Sequence, residues 1–150
     1  MNKILLILLT LIASYYLTGC ISVPMASLEA DTARKEFSSP SQDISGLYIF
    51  RTPLPSYQDI LVKRSIYLDD ELIGDSLPKT YFYREVQPGK HKLSTESEFS
   101  NNDLTIDIKG GRNYFIRQYL KMGLLSAATG IELVSEEEGR KRVLKSKLAK

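Results

Sequence analysis

The sequence predicts a mainly β fold: a small antiparallel β-sandwich with a short N-terminal helix and a C-terminal helix. Three observations lead there. Short β-rich runs recur from Gly46 onward, with clean alternation in Leu104-Thr-Ile-Asp-Ile108. Turn signals separate them at Asp69-Asp70, Pro88-Gly89 and Gly110-Gly111. A charged, helix-patterned stretch then closes the chain from Ser135. Short strands between regular turns are the pattern of a sandwich.

The first residues are of another kind. Lys3 gives a positive start, and Ile4 to Tyr16 is almost wholly apolar. That run falls short of the roughly 20 residues a spanning helix needs, and reads as the apolar region of a secretory signal. Leu17-Thr-Gly-Cys20 follows, which resembles a bacterial lipobox. The order of these pieces predicts a signal peptide over 1–19, cleavage between Gly19 and Cys20, and acylation of Cys20 (palmitate among the acyl chains). Each buried methylene contributes about 0.8 kcal/mol, so several acyl chains hold a protein stably. By analogy with Gram-negative sorting, Ile21 is not a retention signal, so the expected address is the periplasmic face of the outer membrane.

Residues 20–45 read as lipid anchor and tether. Pro24 and Ser38-Ser-Pro-Ser41 are breakers, and between them Met25, Leu28, Ala33 and Phe37 fall roughly on one helical face. This piece is expected to pack loosely on the domain, which occupies 46–150.

The domain's elements follow in order. Gly46–Arg51 is β-rich and stops before Pro53, and Leu54–Asp59 is a loop. Val62–Leu68 and Glu71–Gly74 form a hairpin about Asp69-Asp70, since Asp tolerates the left-handed region. Thr80–Val86 places Tyr81 and Tyr83 on one face, Phe82 and Arg84 on the other. Pro88-Gly89 turns into Lys90–Ser97. A three-residue loop, Lys109-Gly-Gly111, is expected to pair Ile106 with Tyr114 and Leu104 with Ile116, with Gly111 in the left-handed bulge position. Thr129–Val134 is the last strand. Ser135-Glu-Glu-Glu138 reads as a capping box, with basic residues from Arg140 onward suiting the helix dipole. Val143, Leu144 and Leu148 are expected to dock on the sheet. Gly139 weakens this helix by about 1 kcal/mol relative to Ala.

Composition removes whole classes of chemistry. The chain has 150 residues, one domain's worth, and a net charge of only +2, without the basic excess of a nucleic-acid binder. It has one cysteine, Cys20, and one histidine, His91. An acylated Cys20 is neither nucleophile nor ligand, and one thiol makes no internal disulfide. His91, beside a turn between two lysines, reads as an exposed strand-end residue. Asp69, Asp70, Glu71 and Asp75 do not have EF-hand spacing. Gly123–Gly130 lacks the Gly-Lys-Ser/Thr ending of a phosphate loop and is no Gly-x-Ser-x-Gly elbow. No cofactor, metal or catalytic residue is expected. Phe115, Arg117, Tyr119 and Lys121 share the outward face of one strand; this aromatic–basic stripe is a candidate partner-binding surface, or the seat of the C-terminal helix.

Ser22-Val-Pro-Met-Ala26, Leu47-Tyr-Ile-Phe-Arg51, Tyr67–Gly74, Pro78–Tyr83, Pro88–His91 and Asn113–Ile116 together resemble a bacterial lipoprotein family known as domain of unknown function 2846. The hairpin and Pro-Gly turn are also similar to small PEGA-type sandwich modules. Related domains often place Asp-Gly where this chain has Asp69-Asp70. The resemblance implies an immunoglobulin-like or transthyretin-like β-sandwich and no particular reaction. The expected role is a non-enzymatic, membrane-anchored binding or structural module with an envelope protein or glycan as partner. The rivals are an envelope-modifying hydrolase or transferase, which needs a cleft with perturbed carboxylates, and an accessory subunit of an envelope complex, which needs an exposed apolar patch.

Overall fold

A computed structural model describes residues 22–54, 62–96, 102–122 and 127–150. The expected signal and acylation site at Gly19 and Cys20, the Leu54–Asp59 loop beyond Leu54, and the start of the Gly123–Gly130 loop lie outside these residues.

The elements are α1 (Leu28–Arg34), β1 (Ser45–Arg51), β2 (Arg64–Leu68), β3 (Glu71–Ser76), β4 (Thr80–Val86), β5 (Gly89–Thr95), β6 (Asn102–Ile108), β7 (Asn113–Met122), β8 (Ala127–Val134), α2 (Glu136–Val143) and β9 (Lys147–Leu148). They form the sandwich the sequence predicts. One sheet has the order β8-β7-β1-β4-β9 and the other β3-β2-β5-β6. The smaller sheet is antiparallel throughout, while in the larger one β1 runs parallel to β7 and β9 parallel to β4.

Between the sheets lies a core of aliphatic side chains. Leu47, Ile49, Phe82 and Ile116 come from one sheet, and Ile66, Leu93, Ile106 and Ile108 from the other. A second core covers the opposite face of the larger sheet. There Tyr48, Phe50, Tyr81 and Phe115 meet Phe37 from the segment after α1, Val143 of α2 and Leu148 of β9. Strand β1 is therefore buried at every position, one face under each core.

Local chemistry placed several elements as expected. Asp69 and Asp70 both adopt positive φ, 51° and 68°, closing the β2–β3 hairpin. The Ser135 hydroxyl caps α2 by accepting from the Glu138 amide at 3.3 Å. The other half of the capping box differs: the Glu138 carboxylate, expected to reach back to the cap, takes a hydrogen bond from Arg117 at 3.2 Å. Val143 and Leu148 are buried, but Leu144 is exposed, because the helix ends there and points it away from the sheet.

The β6–β7 register is a correction. These strands do not form a hairpin: Ile106 lies opposite His91 and Leu104 opposite Leu93, while Tyr114 lies opposite Leu47 and Ile116 opposite Ile49. The connection crosses from one sheet to the other. Gly111 does take positive φ, 76°, yet its amide donates to the carbonyls of Ser41 and Ile44, at 3.1 and 2.8 Å. Gly110 presses on the Gln42 carbonyl so closely that any Cβ would overlap it. The inward parity of these strands was right; it fixes which face meets the core, and both sheets share that core.

The 22–44 segment, expected to pack loosely, is built into the domain. Val23 enters the inter-sheet core and Phe37 the aromatic one. The expected apolar helical face is not what docks α1. Leu28 is 80% exposed, and the buried residue is Asp31. Its carboxylate accepts from Lys35 at 2.7 Å, the Tyr81 hydroxyl at 2.8 Å and the Leu148 amide at 3.1 Å.

Candidate functional site

The segment leaving Cys20 lies along the C-terminal strand. Ala26 N–H donates to the Leu148 carbonyl and Lys150 N–H to the Pro24 carbonyl, each at 2.9 Å. Alternation along this extended piece sends Val23 inward and leaves Met25 at the surface. On its other side β9 is held to the β3–β4 turn, where the Lys147 amide donates to the Lys79 carbonyl at 3.0 Å. Lys79 adopts φ 61° in that turn, which the Thr80 hydroxyl stabilises by bonding Leu77.

These three pieces enclose a cleft of about 360 Å³. Val23, Met25, Leu77 and Pro78 give it apolar walls, and Lys79, Lys145 and Lys147 line it with charge. Among the described residues, no acidic side chain lines it. Met25 and Lys147 also border a neighbouring hollow of about 260 Å³ that reaches Leu28. Lys79 and Lys145 continue into a smaller recess with Arg142. Among the described residues, none of the three cleft lysines forms a salt bridge. The chemistry this offers is binding: cationic heads on flexible stems around an apolar floor suit an anionic group attached to a hydrocarbon.

The stripe foreseen on β7 divides. Phe115 is buried under α2, stacked on Tyr48 at 5.0 Å between ring centroids. Arg117 is held by the carboxylates of Glu132 and Glu138 and lies 5.2 Å over the Tyr119 ring. Arg117 and Tyr119 remain half-buried. Lys121 pairs in register with Ala128, and its side chain lies outside the described residues. The stripe is thus the helix seat at one end and a paired cation at the centre.

His91 is not the freely exposed residue the sequence suggested. Its Nδ1 is 2.7 Å from an Asp69 carboxylate oxygen and its Nε2 2.9 Å from the Gln87 carbonyl. Both partners are acceptors, so both ring nitrogens donate and the imidazolium is the form that fits. Partial burial opposes the charge, but the Asp69 hydrogen bond, the Gln87 carbonyl and the Asp69 charge outweigh it and raise the His91 pKa above its usual value. The acidic group around it is likewise engaged: Asp69 also accepts from the Lys92 amide, Asp70 pairs with Lys92, and Asp75 accepts from Ser65. Among the described residues, no three His, Cys, Asp or Glu side chains stand together as metal ligands.

The sequence reading missed the cleft. Met25 is far in the chain from Lys79, Lys145 and Lys147, and the parallel pairing of β9 with β4 and the bridge of Met25 to Ala149 assemble them. The one signal available was the run of basic residues after Arg140, whose position matches the helix dipole as well.

Fold and cleft together define a small β-sandwich domain with a lysine-lined, partly apolar groove beside its N-terminal segment. The chain belongs to the family described as protein of unknown function DUF2846, whose model matches residues 41–130. It is also 47% identical over 133 residues to an uncharacterized protein of Haemophilus influenzae, an alignment covering 89% of this chain and 77% of that protein. No solved structure matches it significantly.

Proposed function

We propose that the protein is a lipoprotein of the bacterial cell envelope, anchored through acylated Cys20, that binds or supports an envelope partner without catalysing a reaction. One observation carries this reading. The chain emerging from the lipobox is hydrogen-bonded into the fold from Pro24 onward, so the anchor and the domain are joined almost directly. A domain held that close to a bilayer works at the membrane surface and presents its far edge to the periplasm. That edge is β8, flanked by Arg117 and Tyr119 on β7, and it is the surface assigned to a protein or glycan partner. Ile21 after the cysteine favours the outer membrane.

The test is intact mass and membrane fractionation of the wild type and Cys20→Ala in a Gram-negative host. A cleaved, acylated mass that disappears in the variant, with loss of the membrane fraction, is the expected result. The same unmodified mass and distribution for both proteins overturns the proposal.

A further inference from the structure

We propose that the lysine-lined cleft and its apolar rim form a docking face that lies on the bilayer and binds anionic lipid headgroups. This rests on the anchoring reading above and adds to it an orientation and a lipid preference.

Four features converge on one end of the molecule. The cleft is bordered by Ser22, two residues beyond the acylation site, so an anchored chain enters the domain at this point. Lys79, Lys145 and Lys147 converge on it, with no acidic residue among the described residues of its lining. The nearest buried carboxylate, Asp31, is already engaged by Lys35, Tyr81 and the Leu148 amide. Glu29, on the exposed side of α1, follows Leu28 of the rim in sequence, and the engaged Asp31 lines the neighbouring hollow. Beside the lysines protrude two large apolar side chains, Leu28 at 80% and Met25 at 39% exposure.

An interfacial surface needs this combination. Leu28 and Met25 can enter the headgroup–acyl boundary, while the lysines keep their ammonium groups at phosphate level. A periplasmic protein partner would face the same lysines only by displacing the membrane to which the anchor holds them. The orientation also explains why the opposite edge of the larger sheet is free for a partner: β9 borders the cleft and β8 is the strand furthest from it.

The experiment uses the acylated protein reconstituted into vesicles of phosphatidylethanolamine with 30% phosphatidylglycerol. Leu28→Cys carries a polarity-sensitive fluorophore, and Leu133→Cys on β8, 47% exposed, carries it as the far-edge control. The label at 28 is expected to shift to the blue and be quenched by brominated lipid, while the label at 133 stays in water. Charge contributes about a fivefold change in the docking equilibrium per lysine near an anionic surface. Lys79→Gln/Lys145→Gln/Lys147→Gln should therefore release the label at 28, as should 0.5 M salt or vesicles without phosphatidylglycerol. Unchanged circular dichroism shows that the triple variant is folded. An acylated protein whose label at 28 is as water-exposed as that at 133, or whose quenching ignores the three lysines, overturns the docking face alone. A mass without acyl chains overturns the anchoring reading, and the docking face with it.

Discussion

Gly139 of α2 rests directly on Phe115 of β7: a Cβ at position 139 would overlap the Cβ and Cγ of that aromatic side chain. This contact seats the C-terminal helix on the larger sheet and lets Val143 reach the aromatic core.

Gly139→Ala therefore sets two effects of opposite sign against each other. Alanine favours an exposed helix over glycine by about 1 kcal/mol. Forcing a methyl group into a filled contact costs about 1–3 kcal/mol. Overpacking is the larger, so the variant should lose up to about 2 kcal/mol, read as a lower urea midpoint at unchanged slope. A gain in stability would mean that the helix can lift off Phe115 without cost.

Asp31 ties α1 to β4 and β9 through a carboxylate that accepts from Lys35, Tyr81 and Leu148. Asp31→Ala leaves the Leu148 amide without that acceptor, at a cost of about 1–3 kcal/mol, while the Tyr81 hydroxyl keeps only its longer bond to the backbone carbonyl of residue 31, at 3.4 Å. Tyr81→Phe removes one donor and keeps the other two, so it should cost much less. Hydrogen exchange at the Leu148 amide should speed up in Asp31→Ala and stay slow in Tyr81→Phe. Equal exchange in both variants would show that the carboxylate does not hold β9.

His91 gives stability a pH dependence of determined sign. Its folded pKa is raised, so the native state holds the proton more tightly than the unfolded chain. The stabilisation is fully present below the unfolded value of about 6.5 and is lost as pH rises through the raised folded value. The wild type should thus unfold at lower urea at pH 8 than at pH 6. His91→Gln should remove the part of that difference that belongs to this residue. An identical pH dependence in the variant would contradict the imidazolium geometry.

What was legible in the sequence was local. The Asp69-Asp70 turn, the Ser135 cap and the two-faced parity of Tyr81, Phe82, Tyr83 and Arg84 each follow from a few adjacent residues. The β6–β7 link was misread because strand parity assigns a side chain to the core without saying from which sheet it enters. The deciding contact, Gly110 against the Gln42 carbonyl, spans distant residues. Phe115 was left open between a partner surface and a helix seat because its cover, Phe37 and Val143, comes from both ends of the chain. The cleft was illegible for the same reason.

Arg51 and Gln118 supply the last prediction. They are register neighbours on β1 and β7, and both point into the space between the sheets, where Arg51 is 1% exposed. Arg51 Nη1 donates to the carbonyls of Val62 and Ser76 at 2.7 and 3.1 Å, fixing the chain where it enters β2 and leaves β3. Gln118 accepts from the Ser76 hydroxyl and donates to Thr95 Oγ1 at 2.6 Å. These bonds join the two sheets where the aliphatic core ends. Arg51→Met keeps the length and loses the donors, so two buried carbonyls lose a charged partner; hydrogen bonds of this kind contribute about 1.5–3 kcal/mol each. The variant should be less stable by about 3 kcal/mol, and Gln118→Leu by about 1–2 kcal/mol. Because the two side chains share Ser76, the double variant should lose less than the sum. Strict additivity in urea unfolding would mean that they act as separate contacts and not as one polar bridge.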